Sequence, residues 1–141
     1  VASVAAGHLS SLVGRKRSFL LIGTTALVLM PLLYQWLPAA STMTARFIYT
    51  ASLSMLGCAG FAPILIFLNE RFPTSIRASG TGLSWNIGFA IGGMMPTLAS
   101  LIARTPADLP HVLGVTIGAV TLLYLAGALI VPETTGRLGD S

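Results

Sequence analysis

The stretch LNERFPTSIRASGTG, residues 68–82, separates two long uncharged runs of this sequence. It contains the charged residues Glu70, Arg71 and Arg77, with Pro73 between them. The whole chain has only eight basic and four acidic residues among 141, so this stretch is a distinct polar hinge. The uncharged runs on either side of the hinge decide the fold class.

The composition is that of a membrane protein. Hydrophobic residues make up 54% of the chain and charged residues 9%, with a mean hydropathy of +0.83. A soluble domain carries about 25% charged residues, because its surface faces water. The net charge of +4 indicates membrane orientation rather than nucleic-acid binding, since no basic face is dense enough to follow phosphates.

Four uncharged segments are long enough to cross a bilayer, which takes about 20 apolar residues. All the charged residues lie outside these segments, as expected where a charge at mid-membrane costs about 2.5–3.5 kcal/mol. Buried helices of a soluble protein rarely come four in a row with every charge at their ends. The sequence therefore predicts an all-α polytopic integral membrane protein. Residues 1–6 would end a preceding span, and residues 132–141 would form a tail. The four predicted spans are 18–37, 47–68, 78–103 and 112–131.

The basic residues predict an orientation. With four spans, loops 7–17 and 69–77 and the tail from residue 132 share one side of the membrane. That side has six basic residues and the other side two, which places the hinge in the cytoplasm by the positive-inside rule. The six are Arg15, Lys16, Arg17, Arg71, Arg77 and Arg137, and the two are Arg46 and Arg104.

Catalytic and metal-binding patterns are absent from the sequence. Cys58 is the single cysteine, so an intramolecular disulfide is impossible and metal-ligand spacing is missing. His8 and His111 lie near predicted helix ends with no serine or cysteine partner at readable spacing. We therefore expect no enzyme, no metal and no cofactor. The start of the chain lacks an initiator Met and a signal-peptide pattern, which indicates truncation.

Polar residues within two spans are candidates for a substrate cavity. Thr50, Ser54 and Cys58 recur every four residues and share one helix face. Trp85 and Asn86 lie in the next span, where an amide needs partners in a medium without water. For these five residues both a cavity-lining role and a role in helix packing remain open. Hydroxyls can bond back to their own helix, and Asn86 can join two helices.

A small-residue stripe in segment 78–103 predicts close helix packing. The step from Gly88 to Gly92 is a GxxxG pattern, which lets helix backbones approach each other. Prolines within the spans predict kinks, since each removes a helix hydrogen bond. The stripe consists of Gly80, Ser84, Gly88 and Gly92, followed by Pro96, and the other two prolines are Pro31 and Pro63.

Three polar motifs in register with the spans carry a family resemblance. They are GHLSSLVGRKR at 7–17, ERFPTSIR at 70–77 and PETTGR at 132–137. Their order resembles the C-terminal half of a major facilitator superfamily transporter, near sugar porters and metabolite:proton symporters. The resemblance implies helices 9–12 of a twelve-helix fold, plus the end of helix 8.

The same resemblance implies a cytoplasmic latch of ion pairs that breaks when the inner side opens. Glu70 would pair with Arg15 or Arg77 in one access state only. The chain departs from the family pattern at Ser11, where an Asp is usual, and at Leu12, where a basic residue is usual. The matching positions are Gly7, Leu9, Gly14, Arg15, Lys16, Glu70, Phe72, Pro73, Arg77, Pro132, Glu133, Thr134 and Gly136.

The resemblance implies secondary active transport by alternating access. We expect a proton-coupled symporter of a small organic acid or similar metabolite. The chain would work with its missing N-terminal half in a bacterial inner membrane. A sugar porter is the alternative, although PILIFLNE lacks the tryptophan usual there. A non-transporting scaffold fragment is the alternative of another class. Partners would be the substrate, protons and lipid, with no nucleic acid.

Overall fold

The fold is entirely helical in the part that the computed structural model describes, residues 1–134. Gly136 and Arg137 of the third motif lie outside the described residues. A single 3-10 turn, Leu37–Ala39, follows the second helix. The α-helices are α1 (Ala2–Val13), α2 (Arg15–Trp36), α3 (Met43–Ala59), α4 (Phe61–Arg71), α5 (Arg77–Ile102) and α6 (Leu109–Ile130).

Four stretches are long and apolar enough to cross a membrane, which confirms the predicted all-α membrane architecture. The shortest has 22 residues, about 33 Å at 1.5 Å per residue, against a hydrocarbon core of about 30 Å. Only 6% of the most apolar window in α5 is buried inside the described chain, as expected for a helix whose neighbours are lipid or other spans. The stretches are Arg15–Ala39, Met43–Arg71, Arg77–Ile102 and Leu109–Ile130.

The predicted loop 7–17 is wrong, because almost all of it is helical. Helix α1 continues past residue 6 to Val13, and α2 begins at Arg15. Gly7 remains within α1, where it allows close approach to α4: a Cβ there would lie 3.1 Å from Ala62 Cβ. Gly14 alone makes the turn, with φ of 102°, a conformation that glycine adopts far more readily than other residues.

The predicted span 47–68 is two helices rather than one kinked helix. Helix α3 ends at Ala59 and α4 begins at Phe61. Pro63 explains the interruption, since its ring would clash with the carbonyl of residue 59 and it has no N–H to donate. Gly60 keeps helical dihedral angles, φ −73° and ψ −18°, so the two helices form one span. Pro31 and Pro96 lie inside unbroken helices.

Packing is densest where α2 meets α6, and α4 joins this layer through an aromatic contact. Phe19 makes edge-to-face contacts with Phe67, at 5.6 Å between ring centroids, and with Tyr124, at 6.2 Å. Gly23 lets the Tyr124 ring approach α2, because a Cβ at that glycine would lie 2.8 Å from the ring. Most of the buried polar side chains collect beyond this layer, at the end of the bundle where α2 begins and α4 and α6 end; Thr121, in the middle of α6, is the exception among the described residues.

Candidate functional site

Arg15 and Glu70 form an ion pair that is almost completely shielded from solvent. The Arg15 Nη2 donates to Glu70 Oε1 at 2.8 Å, and Nε donates to Oε2 at 3.0 Å. The two side chains are 7% and 1% exposed. A two-pronged arginine–carboxylate contact of this kind fixes geometry as well as charge.

Hydroxyl groups satisfy the remaining donors and acceptors of the pair. Arg15 Nη1 donates to Ser10 Oγ at 2.7 Å and more weakly to Ser11 Oγ at 3.3 Å. Thr134 Oγ1 donates to Glu70 Oε2 at 2.8 Å. We call Ser10, Arg15, Glu70 and Thr134 the Arg15 cluster, and all four residues are buried. Its members come from α1, α2, α4 and the segment after α6, so the cluster ties four parts of the chain together at one point.

Glu133 caps the first turn of α2. Its carboxylate accepts from the backbone N–H groups of Arg15 at 2.8 Å and Lys16 at 3.2 Å. A negative charge at this position also interacts favourably with the dipole of α2. In return, Lys16 Nζ donates to the carbonyl oxygen of Leu129 at 2.7 Å, in the last turn of α6. The start of α2 and the end of α6 therefore cap each other.

The turn between α4 and α5 is held by its own contacts. Arg77 Nε donates to the Phe72 carbonyl at 3.2 Å, and the Pro73 carbonyl accepts from the Ile76 N–H at 3.1 Å. Of the two expected partners of Glu70, the structure pairs it with Arg15. Thr81 donates to the Asn69 side chain at 3.3 Å, a link between α4 and α5.

The sequence did not indicate three features of this site. They are the bond from Arg15 to Ser10, the bond from Thr134 to Glu70 and the contact of Lys16 with the Leu129 carbonyl. Ser11 carries a partial signal, since it occupies the position where the resembled family usually has an Asp. Its hydroxyl accepts from Arg15 and donates to the Gly7 carbonyl at 3.2 Å. A neutral hydroxyl pair therefore surrounds the guanidinium on this side, and Glu70 carries the balancing charge.

The candidate cavity residues lie on two helices, Thr50, Ser54 and Cys58 on α3 and Trp85 and Asn86 on α5. Thr50 donates to the Arg46 carbonyl at 2.9 Å, and Asn86 donates to the Gly82 carbonyl at 2.7 Å, so both bond back to their own helices. Ser54 and Cys58 lie exposed on α3. Trp85 differs from these four, because its ring packs against other aromatic rings.

An apolar groove between α4 and α5 contains Trp85. The Trp85 ring lies 5.8 Å from Phe61 and 5.1 Å from Phe89, measured between centroids. The groove has a volume of about 490 Å³, and Ser84 contributes a hydroxyl to its lining. Small molecules bind in apolar clefts of this size with a few polar groups.

The small-residue stripe of α5 has a neighbour at one position. Gly80 lies against the Phe72 ring, which a Cβ would approach to 2.7 Å. A Cβ at Gly88 or Gly92 would meet no described atom within 4 Å, and both glycines line the groove beside Ser84. Within the described chain the stripe is therefore open to an additional partner rather than covered by a helix.

Metal-binding clusters do not occur in the described part of the chain: no three His, Cys, Asp or Glu side chains lie close enough to hold an ion.

Comparison with known proteins relates residues 1–138 to the family described as "Sugar (and other) transporter". A probable 4-methylmuconolactone transporter of Cupriavidus pinatubonensis is 28% identical over 128 residues, 91% of this chain and 29% of that protein. The sialic acid transporter NanX of Escherichia coli is 31% identical over 121 residues, 85% of this chain and 28% of that protein. Human solute carrier family 22 member 7 is 36% identical over 76 residues, 54% of this chain and 13% of that protein.

The chain thus spans less than a third of the length of these curated relatives. No solved structure matches it.

Proposed function

Because this chain belongs to the sugar (and other) transporter family, we propose that it is the C-terminal part of a secondary active transporter working by alternating access. The remaining helices, including a complete N-terminal half, would lie on a longer chain. A substrate site near the bilayer midplane, between two halves that rock against each other, is the general arrangement of such transporters. We place the protein in a bacterial inner membrane with the Arg15 cluster at the cytoplasmic face.

The Arg15 cluster is the observation that carries this proposal. An exposed ion pair is worth about 0–1 kcal/mol, whereas breaking a buried pair by removing one partner costs about 3–5 kcal/mol. The Arg15–Glu70 pair is of the second kind, with side chains 7% and 1% exposed. It can therefore bias two access states that differ by a few kcal/mol.

The cluster would act by shaping one end of this half of the transporter. All its members lie within this chain, so the pair does not itself bridge two halves. It instead fixes the ends of α1, α2 and α4 relative to Thr134. We propose that the other half closes against this fixed end, with Glu133, Pro73 and Arg77 in the same cytoplasmic layer. If the Arg15–Glu70 pair broke when the cytoplasmic side opens, the end of the bundle against which the other half closes would become less rigid.

The proposed substrate is a small organic acid or a similar metabolite, moved with protons. The relatives named for 4-methylmuconolactone and sialic acid support a small organic solute. The predicted spans have no Asp, Glu, His, Lys or Arg within residues 18–37, 47–68, 78–103 and 112–131. The proton-coupling group and the group that binds the substrate's charge would therefore come from helices outside this chain. A sugar porter is the second candidate, and the family description supports it.

Uptake by the complete transporter tests this proposal. Purified protein in liposomes is given labelled organic acids or sugars, with and without a proton gradient. We expect saturable uptake of an organic acid that the gradient accelerates. Absence of saturable uptake for both classes would favour a non-transporting scaffold, and uptake of sugars alone would favour the sugar porter.

The gate is tested separately with Glu70→Gln, which removes the charge and keeps the size of the side chain. Asp108→Asn is the matched control, because within the described residues the Asp108 carboxylate bonds only to nearby Thr105, at 2.8 and 3.0 Å, at the opposite end of α6. With Cys58 as the single cysteine retained, labelling from each side of the membrane reports the access state. Glu70→Gln should change both uptake and labelling. Unchanged uptake and labelling in this variant would exclude the cluster as a gate.

A further inference from the structure

Arg17 is a cation at the edge of the bundle that forms no ion pair with any described carboxylate. It is exposed on the first turn of α2, and no described residue forms an ion pair or hydrogen bond with its guanidinium. Arg15 and Lys16, its neighbours in sequence, are both engaged, Arg15 with Glu70 and Lys16 with the Leu129 carbonyl. Within residues 1–134, Arg17 therefore differs from them in having no partner for its charge.

Two adjoining grooves meet at Arg17. The outer groove, of about 620 Å³, runs past Gly14, Lys16 and Glu133. The inner groove, of about 330 Å³, is lined with Leu21 and Thr24. Val13, Arg17 and Leu20 line both grooves. The two grooves are therefore continuous and form one channel on the surface of the bundle, with a charged mouth and an apolar floor.

The inner groove is apolar in character although it includes a threonine. The Thr24 hydroxyl donates to the carbonyls of Leu20 and Leu21, at 2.7 and 3.1 Å. Its hydrogen-bonding capacity is therefore used within α2. Leu21 is 50% exposed, so the groove offers hydrocarbon to whatever lies beside it.

The channel runs in the direction expected of a lipid molecule. The span Arg15–Ala39 has 25 residues, about 37 Å of helix against a hydrocarbon core of about 30 Å. Its first residues therefore lie at headgroup depth. Arg17 is only about 3 Å along the helix from Arg15, and Thr24 is about 10 Å deeper than Arg17. The cation thus faces the headgroups and the leucines face the acyl chains.

Among the described residues that line this mouth, Glu133 is the one acidic side chain. Its oxygens accept from the backbone N–H groups of Arg15, Lys16 and Thr134. With Lys16 and Arg17 beside it, the mouth keeps a net positive charge. Basic residues close to a membrane surface attract anionic lipids by about 1 kcal/mol each.

We propose that this channel binds an anionic phospholipid, with its phosphate at Arg17 and one acyl chain along Leu20, Leu21 and Thr24. A helix from the rest of the transporter is a poorer occupant, because it would bury the Arg17 guanidinium unless it brought its own acid. A small soluble anion would leave the leucines uncovered. The proposal requires insertion in a membrane and does not depend on the substrate or on transport.

Native mass spectrometry of the complete transporter tests the site. The protein is released from nanodiscs of phosphatidylcholine alone or mixed with phosphatidylglycerol. We expect retained phosphatidylglycerol adducts and far fewer phosphatidylcholine adducts. Arg17→Gln should lower the retention of phosphatidylglycerol about fivefold, the change equivalent to roughly 1 kcal/mol. Arg17→Lys should largely keep it. Arg104→Gln is the matched control, an exposed arginine just after the C-terminal end of α5 and outside both grooves, and should retain the lipid as the wild type does.

A second variant separates the acyl groove from the charge. Leu21→Trp fills the inner groove without changing any charge and should also weaken retention. Equal retention by the wild type, Arg17→Gln and Leu21→Trp would overturn the proposal. Displacement of the adduct by inorganic phosphate would show a site for a free anion instead. Loss of thermal stability in lipid-free Leu21→Trp would show that a protein helix fills the groove. Because none of these readouts needs transport, they stand apart from the test of the proposed function.

Discussion

Arg15 and Glu70 are 55 residues apart in the chain, yet Arg15 Nη2 lies 2.8 Å from Glu70 Oε1 in a place almost closed to solvent. This contact joins the first turn of α2 to the last turn of α4. Thr134 adds the segment after α6, and Ser10 adds α1. The polar hinge of the sequence is therefore one wall of a buried polar centre, and its charge serves the tertiary structure as well as the ends of two helices.

The first prediction concerns the dependence of the two charges on each other. Arg15→Met leaves Glu70 buried without its cation, and Glu70→Leu leaves Arg15 without its anion. Each single variant should lower the free energy of unfolding of the complete transporter by about 3–5 kcal/mol. The double variant should cost clearly less than the sum, because both buried charges are gone. Thermal or denaturant unfolding in detergent measures all three. Additive costs would show that the two charges do not interact.

The second prediction concerns the turn at Gly14. Its φ of 102° and ψ of 157° belong to a region that residues with a Cβ occupy at a cost of about 1–3 kcal/mol. A Cβ there would also lie 2.8 Å from Glu133 Oε2. Gly14→Ala should therefore destabilise the protein by at least that amount and disturb the cap on α2.

Gly127→Ala is the control for Gly14. Gly127 lies inside α6, and a Cβ there meets no described atom within 4 Å. Alanine in a helix is more stable than glycine by about 0.5–1 kcal/mol, so this variant should hold or raise the melting temperature. If the two variants melted at the same temperature, the strain assigned to Gly14 would be wrong.

The third prediction concerns the cap that Glu133 places on α2. Loss of an N-terminal cap costs about 0.5–2 kcal/mol, so Glu133→Ala should lower stability within that range. Glu133→Gln keeps an acceptor oxygen but loses the charge and should lie between Glu133→Ala and the wild type. Hydrogen exchange at the Arg15 and Lys16 amides should speed up in the same order. Protection that is equal in all three proteins would mean that the carboxylate does not cap α2.

Local features of the sequence were enough to predict four spans and to name Arg15 as one of two candidate partners of Glu70. Apolar length alone identified the four membrane-long stretches. The motifs brought Arg15 and Glu70 together as candidates, because both lie next to span ends on one side of the membrane. The predicted boundary between helix and loop was wrong where a glycine could indicate either a turn or a close helix contact. The sequence predicts a loop that begins at Gly7, but Gly7 lies inside α1 at a close contact with Ala62.

Long-range contacts were beyond the sequence pattern. The bonds from Thr134 to Glu70 and from Lys16 to the Leu129 carbonyl join residues that only the packing of α2 against α4 and α6 brings together. The pattern also left two roles open for Asn86. The structure has it bonded to its own helix, while its part in a cavity stays a prediction, since neighbouring helices would lie outside this chain.

The fourth prediction concerns Trp85 in the groove between α4 and α5. If the groove forms part of the substrate site, Trp85→Ala removes an aromatic face that packs against Phe61 and Phe89. Uptake by the complete transporter should then show a KM raised about tenfold, with a smaller change in the maximal rate. An aromatic contact is worth about 0.5–1.5 kcal/mol beyond the area that it buries. The loss of both contributions accounts for a tenfold rise in KM. Trp36→Ala is the matched control, because Trp36 is 53% exposed at the last residue of α2. It should leave KM unchanged. Equal KM values for the two variants, with both proteins folded, would place the substrate elsewhere and leave the groove as a contact surface for another helix.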